Sequence, residues 1–188
     1  MVSRSSSADA QLARLGFAEP DRATGLLREP ALVGLFLGRR VARHEELDEL
    51  LAQTRDARVS VAEGMSVSAD PDLAAIGLVR LTEALVAAGM PPAHPASPAH
   101  LAQLLASDTA RRHRLLVTLG GSRALVDHLA AHPEHWLCAA DAEPRTADEL
   151  RTALTTAVAP EARGERAAYD ALRLAYRREL IGIAALDL

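Results

Sequence analysis

The stretch DPDLAAIGLVRLTEALVAAG, residues 70–89, decides the fold class. Asp70 is a short acidic side chain of the kind that caps a helix N-terminus. Pro71 follows at the first helical position, and Asp72 complements the positive end of the helix dipole. Ala74, Leu78, Leu81, Leu85 and Ala88 recur at helical spacing, and Ile76, Val79 and Val86 form a second apolar stripe. A helix that is apolar almost all round belongs between other helices, with Gly89 as its stop.

The flanking sequence repeats this style. Apolar residues make up 49% of the 188 residues but aromatics only 3%, so the core is built from Leu, Ala and Val. Ala and Leu favour helices, and the expectation is an all-α fold: a multi-helix orthogonal or bundle-like array with no significant sheet. Toward the N-terminus, Met1 to Ala8 reads as a disordered tail, and a short helix around Leu12 and Leu15 ends at Gly16. Pro20 and Asp21 open a second helix bearing Leu26 and Leu27. Pro30 begins a third, with Leu32, Leu35 and Phe36 on its apolar side. Between Ala42 and Gln53, Leu47, Leu50 and Leu51 oppose Glu45, Glu46, Asp48 and Glu49, a solvated acidic face. Asp56 to Ala69 shows no helical period and reads as a loop.

Toward the C-terminus, residues 91–98 are rich in proline and read as a stiff linker. They divide a 9–90 helical subdomain from a 99–188 one. Leu101, Leu104 and Leu105 mark the next helix, and Leu115, Leu116 and Leu119 another that Gly120-Gly121 breaks. Ser122 caps a helix carrying Leu125, Val126 and Leu129, which Pro133 ends. Trp136, the sole tryptophan, is expected to fill a gap between helices there. Thr146-Ala147-Asp148-Glu149 is a capping box, with Leu150, Leu154 and Val158 on the following face. A last helix spans about Glu165 to Ala185, with Tyr169, Leu172, Tyr176, Leu180 and Ile183 as its expected buried seam. Leu174 and Ile181 lie off that seam and predict an exposed apolar patch flanked by Arg177 and Arg178.

Net charge is −4, and all 21 basic residues are arginines, without a basic block that would draw the chain to nucleic acid. Cys138 is the single cysteine, so an internal disulfide is impossible and a reducing compartment is expected. The N-terminus lacks the apolar core of a signal peptide, and no apolar run reaches membrane-spanning length; the expected location is cytoplasmic.

Four groupings could carry chemistry. His128, His132 and His135, near Cys138, suggest a metal site, since residues four apart share a helix face. Pro133 interrupts that face, and helix-end histidines beside a packed Trp136 are the preferred reading. Gly120-Gly121-Ser122 suggests a phosphate loop, but a Walker loop needs a lysine, and the sequence has none. A nucleotidyltransferase would need Gly-Ser followed by Asp-x-Asp to hold Mg²⁺. The one Asp-x-Asp, Asp70-Pro71-Asp72, precedes the Gly-Ser and sits in a helix cap. The same Gly turn could imitate a DNA-binding helix-turn-helix, yet its second helix offers Arg123 and His128 together with Asp127 and large apolar residues. Arg166, Arg173, Arg177 and Arg178 on the last helix could meet an anion or an acidic partner, with a solvated face as the plainer account.

Several segments, taken in order, resemble one family. They are Arg14-Leu15-Gly16-Phe17 with Pro20, Asp70-Pro71-Asp72-Leu73-Ala74 leading to Leu78-Val79-Arg80-Leu81, and Leu119-Gly120-Gly121-Ser122. Asp127-His128-Leu129 and His132-Pro133-Glu134-His135-Trp136 follow, and the helix from Leu172 to Leu180 and the ending Ile183 to Leu188 complete the set. The sequence resembles the N-terminal region of the bifunctional glutamine synthetase adenylyltransferase and adenylyl-removing enzyme of high-GC bacteria.

The resemblance implies a longer enzyme with two nucleotidyltransferase domains. One moves AMP from ATP to a tyrosine of glutamine synthetase, and the other removes it by phosphorolysis. Mg²⁺ and ATP are implied as cofactors of that whole enzyme, with glutamine synthetase and a PII-type signal protein as partners. The family's catalytic motifs lie downstream of Leu188, so no catalytic, cofactor-binding or metal residue is assigned within this chain. The expectation is an N-terminal helical fragment, truncated before a nucleotidyltransferase domain. A free-standing helical interaction module is the alternative, and a helix-turn-helix DNA binder a more distant one.

Overall fold

The computed structural model describes residues 5–42, 47–158 and 164–188, and among them every regular element is a helix. In chain order these are α1 (Ser5–Arg14), α2 (Pro20–Leu27), α3 (Pro30–Leu37), α4 (Leu47–Gln53), α5 (Arg55–Met65) and α6 (Pro71–Ala88). They continue with α7 (Pro98–Ser107), α8 (Thr109–Gly121), α9 (Arg123–Ala131), a 3-10 turn (Pro133–His135), α10 (Trp136–Ala140), α11 (Ala147–Val158) and α12 (Glu165–Asp187). The all-α expectation holds.

α6 is the axis of the array. The Asp70 carboxylate accepts the Leu73 amide at 2.9 Å, Pro71 occupies the first turn, and Gly89 closes the helix at φ 63°. Its residues bury themselves against α2, α3, α5, α8 and α9. Leu78, Leu81 and Leu85 are wholly inaccessible, and each contributes about 2 kcal/mol by leaving water. α8 packs along α6 and is tied outward by its arginines. Arg112 donates to Ser60 Oγ at 3.0 Å and to the Leu105 carbonyl at 2.8 Å, and Arg114 donates to the Ala140 carbonyl at 3.0 Å.

Residues 91–98, expected as a linker, stay exposed as far as Pro95 and enter the core only at their end. Ala96 and Ser97 are buried, Ser97 Oγ donates to the Pro92 carbonyl at 3.0 Å, and Pro98 is already the first residue of α7. One hydrophobic core runs from Leu12 on α1 to Ala185 on α12.

Four expectations need correction. Helix α1 starts at Ser5, inside the stretch expected to be a disordered tail. The expected loop from Asp56 to Ala69 is mostly helix α5, which buries Val61, Ala62 and Met65 against its neighbours. Its β-branched Val59 and Val61 lower helix propensity, and tertiary packing overrides that. Of the acidic face, Asp48 and Glu49 are exposed on α4, while Glu45 and Glu46 lie outside the described residues.

Gly120 and Gly121 do not break a helix; both are the last turn of α8. They are there for close approach. A Cβ on Gly120 would run into the Ser68 side chain and come 2.8 Å from the Asp70 carbonyl oxygen. Gly120→Ala gains about 1 kcal/mol of helix propensity but forces apart the junction that starts α6. A net loss of about 2 kcal/mol in a urea titration is expected; an unchanged or raised midpoint would mean that the Ser68 turn yields freely.

The last correction concerns α12. Its buried residues are Ala175, Ile181 and Ala185, not the expected seam. Tyr169, Leu172, Tyr176, Leu180 and Ile183 all face solvent, Leu174 is 37% exposed, and Ile181 is inaccessible, so the patch expected at Leu174 and Ile181 does not form. The helix docks on α8 and α10 through Ala175, Ile181 and Ala185, with Ile181 as the one large side chain in the contact. The row of Tyr169, Leu172, Tyr176, Leu180 and Ile183 on the other arc is left outside.

Candidate functional site

The most concentrated polar constellation sits where α9 ends. The helix stops at Ala131, and Pro133 starts a 3-10 turn instead of leading the chain away. That turn brings His135 back beside His128 on α9 and His132 at its C-cap. His128 Nε2 and His135 Nδ1 are 3.0 Å apart and share one hydrogen bond. His135 stacks on both other rings at centroid distances of 5.2 and 5.5 Å, while His128 and His132 are tilted by 35° at 4.9 Å. Glu134 Oε1 lies 3.9 Å from His132 Nδ1 and 3.7 Å from His135 Nε2.

Proline therefore does not separate the third histidine from the other two. The arrangement still differs from a chelate, since a nitrogen of His128 that could bind a metal is committed to His135. Among the described residues no group of three or more His, Cys, Asp or Glu converges to hold a metal ion. His128 is buried, and its Nδ1 has no hydrogen-bond partner. Burial, followed by repulsion from His135, His132 and Arg177, pushes its pKa down to about 4, against the weaker pull of Glu134. Burial likewise lowers His135 and raises the Cys138 thiol, so Cys138 is held as the neutral thiol.

The other candidate residues are occupied structurally. Asp70 caps α6, and Asp72 reaches across to the chain entering α2, where its carboxylate accepts the Ala18 amide at 2.6 Å and the Glu19 amide at 3.2 Å. The two carboxylates of the Asp-x-Asp thus neutralise the starts of two different helices. Ser122 stands at the N-cap of α9 but makes no side-chain capping bond. α9 turns Arg123, Ala124, Asp127 and Ala131 outward, and Asp127 is paired with Arg80. The Thr146–Glu149 capping box forms as expected: Glu149 accepts the Thr146 amide at 2.7 Å, and Thr146 Oγ1 accepts the Glu149 amide at 3.3 Å. On α12, Arg166, Arg173, Arg177 and Arg178 are exposed, with Arg178 3.2 Å from Glu179. Glu179 also pairs with Arg145 at the base of α11.

Trp136 is 1% exposed, and its Nε1–H donates to the Ala96 carbonyl at 3.2 Å. Its burial follows the sequence expectation. Its partner, forty residues earlier, had no signal in the sequence, and neither did the reach of Asp72 to α2.

These features define a helical array whose conspicuous polar residues cap, pair or brace helices. No family model matches the sequence, and no solved structure matches it. The chain is homologous to a small part of the bifunctional glutamine synthetase adenylyltransferase/adenylyl-removing enzymes of actinobacteria. It is 37% identical over 188 residues to that enzyme from Streptomyces avermitilis and 37% identical over 188 residues to the one from Streptomyces coelicolor. Each alignment covers 98% of this chain and 15% of the relative. The enzyme from Mycolicibacterium smegmatis is 37% identical over 144 residues, 75% of this chain and 13% of the relative. The chain therefore spans a small fraction of the length of the relatives it matches. No helix among the described residues is long and apolar enough to cross a membrane.

Proposed function

We propose that this chain is the helical, non-catalytic portion of an adenylyl-transfer system that controls glutamine synthetase, and that it supports an adenylyl-removing domain. The observation that carries this reading is the 37% identity along 98% of the chain, set against only 15% of the relatives' length. A region matched along nearly its whole length, with its polar motifs committed to capping, suits a supporting layer. Glutamine synthetase and a PII-type signal protein are the proposed partners, and the cytoplasm is the proposed location.

Mg²⁺ and ATP would serve the whole enzyme, but the residues present do not fit them. Polyphosphate-bound Mg²⁺ needs convergent free carboxylates, and Asp70 and Asp72 are each spent on helix amides. The pure chain, incubated with ATP, Mg²⁺ and glutamine synthetase or with phosphate and the adenylylated form, is expected to transfer and release no AMP. Release of AMP above a heat-treated control would overturn the non-catalytic reading.

A second reading, a free-standing interaction module, is favoured by the exposed stripe of α12. Direct binding to glutamine synthetase supports the first reading; failure to bind it, with binding to other proteins retained, supports the second.

A further inference from the structure

The solvent side of α12 carries an apolar stripe with arginines along one edge. Tyr169, Leu172, Tyr176, Leu180 and Ile183 are 60, 38, 55, 37 and 40% exposed. They follow one another at steps of three and four and so lie in one row along the helix. Together they make a contiguous patch on the order of 400 Å², the size of the largest apolar patch on a typical monomer, which is often functional. Arg166, Arg173 and Arg177 are spaced seven and four residues apart, so they line one flank of that row, with the exposed Asp170 among them; the flank as a whole stays net positive. All three are exposed and have no ion-pair partner among the described residues. Glu179, toward the other flank, is already engaged by Arg145 and Arg178.

We propose that this face is a docking surface for an amphipathic protein helix whose apolar side is bordered by carboxylates. The inference does not depend on the adenylyl-transfer reading. Charge decides the occupant. An antiparallel second copy, centred on Tyr176, would set equal flanks together and bring Arg173 and Arg177 of one molecule beside Arg177 and Arg173 of the other. Like charges so placed oppose association, and a parallel copy would set the arginines against a flank whose Glu179 is already held by Arg145 and Arg178; a carboxylate-edged helix meets the arginines with the opposite sign. A helix lying on an anionic membrane would present arginines along both edges of its apolar row; here they occupy one. The docking mode is an apolar face laid on an apolar row, with the charged edge fixing orientation.

The probes are two synthetic helical peptides of about 18 residues, enough at 1.5 Å per residue to span the row from Tyr169 to Ile183 and the flanking Arg166. Both carry leucines at helical spacing; one has glutamates along one edge and the other lysines. Binding to the full chain is read by fluorescence anisotropy. The glutamate peptide is expected to bind at least about tenfold more tightly than the lysine peptide. Most of that difference should vanish at roughly 0.5 M salt, where screening reaches within a few ångströms. Tyr176→Glu with Leu180→Glu should abolish binding while the circular dichroism spectrum stays unchanged. Arg173→Glu with Arg177→Glu should reverse the preference between the peptides, which a merely sticky surface would not do. Equal binding of both peptides, or of neither, overturns the proposal. So does preferential binding to phosphatidylglycerol vesicles, or a sedimenting dimer that Tyr176→Glu dissolves.

Discussion

Trp136→Ala is expected to lower the free energy of unfolding by about 3–5 kcal/mol, the range for truncating a large buried aromatic. The ring is the largest fully buried side chain, and it is held at both ends of its character: apolar contacts around the body, and the Ala96 carbonyl on its N–H. Truncation removes that body from the core at the start of α10. It also leaves the Ala96 oxygen without its donor in the turn that leads into α7. Trp136→Phe keeps a six-membered ring in the core but loses the hydrogen bond together with the pyrrole part of the indole, and an intermediate loss of about 2–3 kcal/mol is expected. Urea titration followed by far-ultraviolet circular dichroism checks both variants. A midpoint for Trp136→Ala within error of the parent would show that the ring contributes no net packing.

Acidification should destabilise the fold through His128. In the unfolded chain the imidazole takes up its proton near pH 6.5, and in the folded chain only near pH 4. Between those values the unfolded state binds the proton and the folded state does not. Stability therefore falls as pH falls through this window and is fully present above it. The separation corresponds to about 3 kcal/mol at the acid end. His135, lowered by burial as well, acts in the same direction. Guanidinium titrations at pH 7 and pH 4.5 measure the slope. His128→Leu keeps a buried apolar group, removes the unpartnered Nδ1 and should flatten most of the dependence. If the variant keeps the parent slope over that range, the acid sensitivity originates elsewhere.

Legibility in the sequence followed how exclusively a residue's chemistry pointed to one environment. The start of α6 was plain because an acidic cap, a proline and an apolar run all favour the same local structure. α5 was hidden by Arg58. Positions 58, 61, 62 and 65 follow the helical pattern, but the first is an arginine and counts as polar. In the fold its guanidinium donates to the Leu51 carbonyl at 2.6 Å and to Thr54 Oγ1 at 3.3 Å, while its stem lies half-buried. α12 misled for a different reason. Two arcs of that helix carry apolar residues, and hydrophobicity alone ranks the one with more large side chains as the core. The neighbouring helices instead cover the arc of Ala175, Ile181 and Ala185, a choice made by tertiary packing that the periodicity of α12 does not encode.

The candidate sites divide in the same manner. The histidine pair four residues apart was visible from spacing alone. The third member was discounted because proline ends an α-helix, yet proline also suits the 3-10 turn that returns His135 to the pair. Asp70 and Asp72 are six atoms' worth of carboxylate in a familiar spacing, and only the fold shows them serving α6 and α2 respectively. No local pattern could have announced the second, since its partners lie more than fifty residues away.

The shallow seating of α11 and α12 has a dynamic consequence. α11 buries none of its residues and α12 only three, whereas α6 buries nine. Helices held by so little apolar contact open at a free energy well below that of the whole fold. Their amide protons should exchange with deuterium ahead of those of α6 and α8, through local openings that release Ile181 and Ala185 from the core without unfolding the rest. A ligand seated on the outer row of α12 should slow exchange in those two helices first. The stability obtained from a denaturant midpoint consequently describes the body of the molecule and overstates how firmly its last two helices are held.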